Sequence, residues 1–154
     1  MSAQRPNRPR QAPSTDSEDF EIVLAPPRPL IPPGIYTAKS TAAHKDHLWS
    51  FDRYSLRLTF TVFADPYEDG VVLATGIEAF YSLGDGKRPP GPSSRIARLF
   101  ALLDPSGATS IRSASMLRNK LWRVQIATVE TDRRGNRLPE ALRYSKVDVL
   151  ERIG

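Results

Sequence analysis

From Tyr54 to Phe63 the chain reads YSLRLTFTVF, and apolar residues fall on every second position. Tyr54, Leu56, Leu58, Phe60 and Val62 take one parity, while Ser55, Arg57, Thr59 and Thr61 take the other. A period of two belongs to a strand with one face in a core and the other in solvent, and it does not fit an amphipathic helix. Such a strand needs neighbours along its edges and a second layer over its apolar face. This segment therefore commits the chain to a β-rich domain.

The flanking sequence supplies the partners. Ile31-Pro32-Pro33-Gly34 reads as a turn that launches a weaker first strand over residues 35–43. After the alternating segment, Asp65-Pro66 through Asp69-Gly70 forms a hairpin loop, and a third strand follows over 71–82. Gly76, inside that strand, marks a bulge or sharp bend. The period then changes. Ile96, Leu99, Phe100 and Leu103 make an apolar stripe at helical spacing, so the pattern predicts a helix over 94–103. Ser93 or Ser94 caps it, and Asp104-Pro105-Ser106-Gly107 ends it. A short helical turn is expected at 114–119 and a fourth strand at 121–130, with Trp122, Val124 and Ile126 on its buried face. A turn-rich loop, 131–143, leads to a fifth strand in which Ser145, Val147 and Val149 alternate. Three strands, a helix and two strands match a five-stranded Greek-key barrel of the oligonucleotide/oligosaccharide-binding (OB) type, with its helix between strands three and four. A small β-sandwich or an SH3-like barrel fits the same spacing.

Eight of the fourteen prolines lie in the first 33 residues. Segment 1–30 has no periodic apolar pattern and cannot offset its chain entropy by burial, so it is expected to be a disordered tail ahead of a domain spanning 31–154. Asp16, Glu18, Asp19 and Glu21 give that tail a handle for a protein partner, while Phe20, Ile22, Val23 and Leu24 read as a dock for the domain or for a partner, or more plainly as a sticky spot in a linker. On this reading, deletion of residues 1–30 leaves the affinity of the domain for its ligand nearly unchanged. The start MSAQRPNRPRQAP has no apolar stretch behind its charges and does not read as a secretory signal. No apolar run reaches the roughly 18 residues of a membrane span. A cytoplasmic protein without a membrane partner is the expectation.

Charge is distributed unevenly. Residues 87–146 carry thirteen basic groups against four acids, whereas residues 1–86 carry eight basic and eleven acidic groups. A positive field concentrated in one half favours a polyanionic partner. Catalysis finds little material. There is no cysteine, and His44 and His47 stand without a convincing carboxylate set, so neither a metal nor another cofactor is expected. Gly84-Asp85-Gly86-Lys87-Arg88 lacks both the glycine spacing of a phosphate-binding loop and the Ser or Thr after its lysine. The expectation is a protein that is not an enzyme.

In an OB barrel, ligands cross strands two and three between the loop joining strands one and two and the loop joining strands four and five. The first is read here as 44–53, with Trp49, Phe51 and Arg53; the second is 131–143, with Arg133, Arg134 and Arg137. Arg57 on the polar face of strand two, Phe80 on strand three and Arg123 on strand four complete the candidate set. Aromatic faces stack bases and cations neutralise phosphates, which suits single-stranded DNA, or RNA. The plainer alternative is that Trp49 and Phe51 cap the barrel's open end, that Arg133 and Arg134 only solvate a hairpin, and that Arg95 and Arg98 on the helix face solvent.

The elements carry a resemblance to a known group. Pro33-Gly34-Ile35-Tyr36-Thr37-Ala38 opens the first strand, Leu56 to Phe63 forms the second, and Leu99…Leu102-Leu103-Asp104 ends the helix. Leu117-Arg118-Asn119-Lys120-Leu121-Trp122-Arg123-Val124 enters strand four, Asp132-Arg133-Arg134-Gly135-Asn136 makes a charged hairpin, and Tyr144-Ser145 begins the last strand. Together these resemble the OB-fold single-stranded-DNA-binding proteins of phages and other mobile elements. The resemblance implies a non-catalytic role in phage or plasmid replication and recombination, and a homo-oligomer would be in keeping with it. Two departures stand out: Asn119 occupies a position where such proteins often have glycine, and no acidic tip follows Val149-Leu150. A protein-interaction or structural module of a mobile element is the rival reading, since barrels host many functions.

Overall fold

Strand pairing follows from the alternating segment outward. The computed structural model describes residues 19–64, 70–105 and 112–154. It contains five strands, β1 (Gly34–Leu48), β2 (Arg53–Phe63), β3 (Val72–Gly84), β4 (Leu121–Val129) and β5 (Tyr144–Arg152), and one α-helix, α1 (Arg95–Leu103). All pairs are antiparallel in one sheet of order β3-β2-β1-β4-β5. The edge strands β3 and β5 approach each other without a ladder of hydrogen bonds between them, so the sheet curls but does not close. Helix α1 packs on both of these edges.

The predicted parity holds from Leu56 onward, whereas at the strand's start Tyr54 is only half-buried and Ser55 is buried, with a register shift between the two. Leu56, Leu58, Phe60 and Val62 are buried with Ile77, Ala79 and Tyr81 of β3 and Trp122, Val124 and Ile126 of β4. Ile96 and Leu99 of α1 complete this core, and the Ser94 hydroxyl accepts the Ala97 N–H at 3.2 Å as the helix cap. Gly76 is the extra residue of a β3 bulge between Ile77 opposite Phe60 and Thr75 opposite Thr61, and its φ of 77° is one that side chains rarely adopt.

β1 also carries a bulge, between Ser40 and Ala42. There the buried Ser40 hydroxyl donates to the Leu117 carbonyl and accepts from Trp122 Nε1 at 3.0 Å and Lys120 N at 3.2 Å. Asn119, just before, has a φ of 58°. The left-handed turn into β4 therefore exists, and asparagine tolerates it where glycine would be freer.

Two expectations change. Residues 44–53 are not a loop: His44 to Leu48 continue β1 and pair with Arg57 to Arg53, leaving a turn at Trp49–Phe51. Extended pairing satisfies the backbone there even though the side chains lack the apolar alternation that marks a strand. The boundary at residue 30 also moves. Pro29 O accepts from Ser145 N at 2.9 Å, and Ile31 N donates to Ser145 Oγ at 2.9 Å, so the segment docks along β5 before β1 begins. Residues 20–28 have no regular secondary structure, while 1–18, and with them Asp16 and Glu18 of the expected handle, lie outside the described residues. The hairpin loop read at Asp65–Asp69 also lies outside them, although Ala64 N donates to Val71 O at 2.7 Å across its base. The β-rich class is as expected, with five antiparallel strands in one sheet that does not close on itself. Among the described residues, no helix is long and apolar enough to cross a membrane.

Candidate nucleic-acid interface

Phe80 lies on the outward parity of β3, opposite Arg57 of β2, and remains 51% exposed because its neighbours Ala79 and Tyr81 take the core side. Three surface grooves meet on it. One of about 490 Å³ runs toward the β1–β2 turn and includes Leu48, Arg53, Tyr54 and Arg95. Another, of about 340 Å³, runs along β5 past Arg28, Tyr144 and Lys146. The third is a small cleft of about 30 Å³ between Gly76–Glu78 and Arg28, Pro29 and Tyr144. An aromatic face thus sits at a junction with cations on either side.

The structure separates the other predicted residues. Trp49 is 84% and Phe51 62% exposed, so they do not cap a core; they form the tip of the β1–β2 hairpin, with the half-exposed Leu48 beside them. The tip is held by stacking across strands: Trp49 meets His47 edge-on at 4.0 Å, His47 stacks on Tyr54 at 4.5 Å, and Lys45 Nζ lies 4.6 Å over the Tyr54 ring. His47 Nε2 is also 3.2 Å from Asp52 Oδ1. Arg53 begins β2 at the mouth of the larger Phe80 groove.

Arg57 is a different case. Its Nε is 3.2 Å from Asp46 Oδ2, without the alignment of a hydrogen bond, and its Nη1 is 3.4 Å from Glu78 Oε2. Two carboxylates already offset its charge, which reduces what it offers a phosphate. Arg123 lies on β4 between Thr37 of β1 and Glu151 of β5, three strands from Phe80 in the sheet order. Arg137 pairs with Glu130 at 3.6 Å. Arg133 and Arg134 sit on the turn between β4 and β5, both exposed. Asp132 Oδ1 accepts the N–H groups of Arg134 (2.8 Å) and Asn136 (2.9 Å), and Gly135 has a φ of 85°, which shapes this turn.

Three residues outside the predicted set join the site. Arg95, expected in solvent, donates from Nη1 to Phe80 O at 3.1 Å and lies 3.6 Å from Asp148 on β5 and 4.8 Å over the Tyr81 ring. It thereby links α1, β3 and β5 directly behind Phe80. Arg28 stands 4.2 Å over the Tyr144 ring. Lys146 borders the same groove, and its outward parity on β5 was the one available signal. Arg28 had no local signal, because its position depends on a contact more than 100 residues away in sequence. In the loop after β3, the Lys87 N–H donates to Asp85 Oδ1 at 2.9 Å and holds that carboxyl below its ordinary range. That carboxylate shapes its own loop. The chain matches no family model, no curated protein and no solved structure.

Proposed function

We propose that this chain is a non-catalytic single-stranded nucleic-acid binder, for DNA in the first instance, built on an OB-type barrel and working in the bacterial cytoplasm in phage or plasmid replication and recombination. The observation that carries the reading is Phe80, an exposed aromatic on the outer face of β3 between Arg53 and Arg95 on one side and Arg28 and Lys146 on the other. A base stacks on such a face whatever its identity, while the flanking cations meet the phosphates. The barrel reading is supported by the strand order and by the approach of the two edge strands, since OB barrels are partly open. Trp49 and Phe51 extend the aromatic surface past the hairpin tip.

The test is fluorescence anisotropy of a labelled oligothymidine of roughly 30 nucleotides, at low and physiological salt, with duplex as competitor. Binding should resist duplex, weaken steeply with salt, and lose about 1–3 kcal/mol in Phe80→Ala. No binding at micromolar protein would sink the reading. A protein-interaction module of a mobile element then takes its place, with the exposed Phe20, Ile22, Val23 and Leu24 as its linear ligand.

A further inference from the structure

A further groove lies beside the β4–β5 connection, away from Phe80. Of about 620 Å³, it runs between Ala25–Arg28 on one side and the β4–β5 connection on the other, where Arg133, Leu142, Arg143 and Tyr144 border it. Its near wall is pre-set: Pro26 and Pro27 restrict the backbone, and the hydrogen bond from Ser145 N to Pro29 O anchors the segment immediately after Arg28. No carboxylate among the described residues pairs with Arg28, Arg133 or Arg143, and the wall's acid, Asp132, has one oxygen committed to two backbone N–H groups. The groove is therefore basic with an apolar floor. Arg28 and Tyr144 also border both smaller grooves that reach Phe80, so the surfaces are continuous.

A guanidinium stacked on a phenol keeps its N–H edge directed outward to a phosphate and its free face open to a base. We propose that the Arg28–Tyr144 stack and the groove behind it form a second nucleotide subsite, so that the proline segment ahead of β1 is part of the binding site. One strand of nucleic acid passes from Phe80 over Tyr144 and into the groove beside Arg133. This rests on the single-strand reading above and reverses the expectation that residues 1–30 are dispensable for affinity.

The test compares the full chain with Arg28→Ala, Arg28→Lys and Phe80→Ala on labelled oligothymidines of about 4 and about 12 nucleotides, lengths within the range one OB fold covers. Arg28 is exposed, so unchanged thermal melting is expected of its variants. On the longer strand, Arg28→Ala should weaken binding about tenfold. It should also reduce the slope of log affinity against log salt by about 0.7, the value for one phosphate contact on a single strand. Arg28→Lys should restore the slope but not the full affinity, because an ammonium lacks the planar stacking face. On the shorter strand, held at Phe80, Arg28 acts only as a flanking cation, so Arg28→Ala should lose clearly less affinity than on the longer strand and Arg28→Lys should bind like the unaltered chain. Wild-type affinity and slope for Arg28→Ala on the longer strand, with Phe80→Ala weakened, would overturn the subsite and leave the single-strand reading standing. A loss of equal size at both lengths also overturns it, because Arg28 would then act beside Phe80 and not beyond it. If the unaltered chain binds neither strand, both proposals fall together.

Discussion

Ser40 is completely buried, yet its hydroxyl serves three groups around the β1 bulge: the Leu117 carbonyl, the Lys120 N–H and the Trp122 indole N–H. Removing it strands the buried indole N–H and takes a partner from the half-buried Lys120 N–H, and a stranded buried donor costs more than its hydrogen bond contributes. Ser40→Ala should lower stability by about 1–3 kcal/mol in urea unfolding, with the indole's near-ultraviolet signal altered. Asn119 next to it is held at a φ of 58°. A β-branched residue is poorly suited to that backbone, so Asn119→Val should lose about 1–2 kcal/mol, while Asn119→Gly should be close to neutral. Ser40 does not announce itself in sequence, where it is one residue of a weak first strand. The functional residues divide in the same way. Phe80 and Arg53 could be found by parity and position, but the neutralisation of Arg57 by Asp46 and Glu78 comes from β1 and β3, and only the strand register brings those carboxylates to it.

At the scale of elements, the helix was the most legible feature. Its apolar stripe, serine cap and stop all lie within a dozen residues, where local interactions decide. Because the Ser94 hydroxyl holds the Ala97 N–H at 3.2 Å, Ser94→Ala should cost about 1 kcal/mol, measured as a lower denaturation midpoint. The β1–β2 hairpin shows where such reading stops. On the β1 side, His44 to Leu48 run past the core with none of them buried, so those side chains need no apolar alternation; backbone pairing with Arg53 to Arg57 and the Lys45–Tyr54–His47–Trp49 stack hold them. Trp49, 84% exposed at the tip, contributes little to the core. Trp49→Ala should leave the melting temperature unchanged and weaken oligothymidine binding by about 1–3 kcal/mol; a folded variant with unaltered affinity would remove Trp49 from the site.

For the whole molecule, the decisive feature is the seam between β3 and β5. No ladder joins these edges; instead Arg95 bridges them, bonded to Phe80 O and paired with Asp148, above the buried Tyr81 ring. Burial pushes the Tyr81 phenol up to about 12, against a smaller opposing pull from Arg95. The folded state thus binds this proton more tightly than the unfolded chain, whose tyrosine titrates near 10. The contribution is fully present below pH 10 and is lost as pH rises from about 10 to about 12, amounting to about 2–3 kcal/mol in all. Urea unfolding across that range should show the fall in stability, and Tyr81→Phe should show a shallower one. Equal slopes for the two proteins would mean that Tyr81 is not sealed beneath the seam. The sequence by itself determined the strand and helix inventory, the core faces and the basic second half, because periodicity, caps and turn residues act over a few positions. Tertiary structure alone decided that the edges meet without closing, that Arg95 braces the back of Phe80, and that Arg28 lies on Tyr144. Those contacts join residues far apart in the chain, and their geometry is set by sheet curvature and register, which local patterns do not encode.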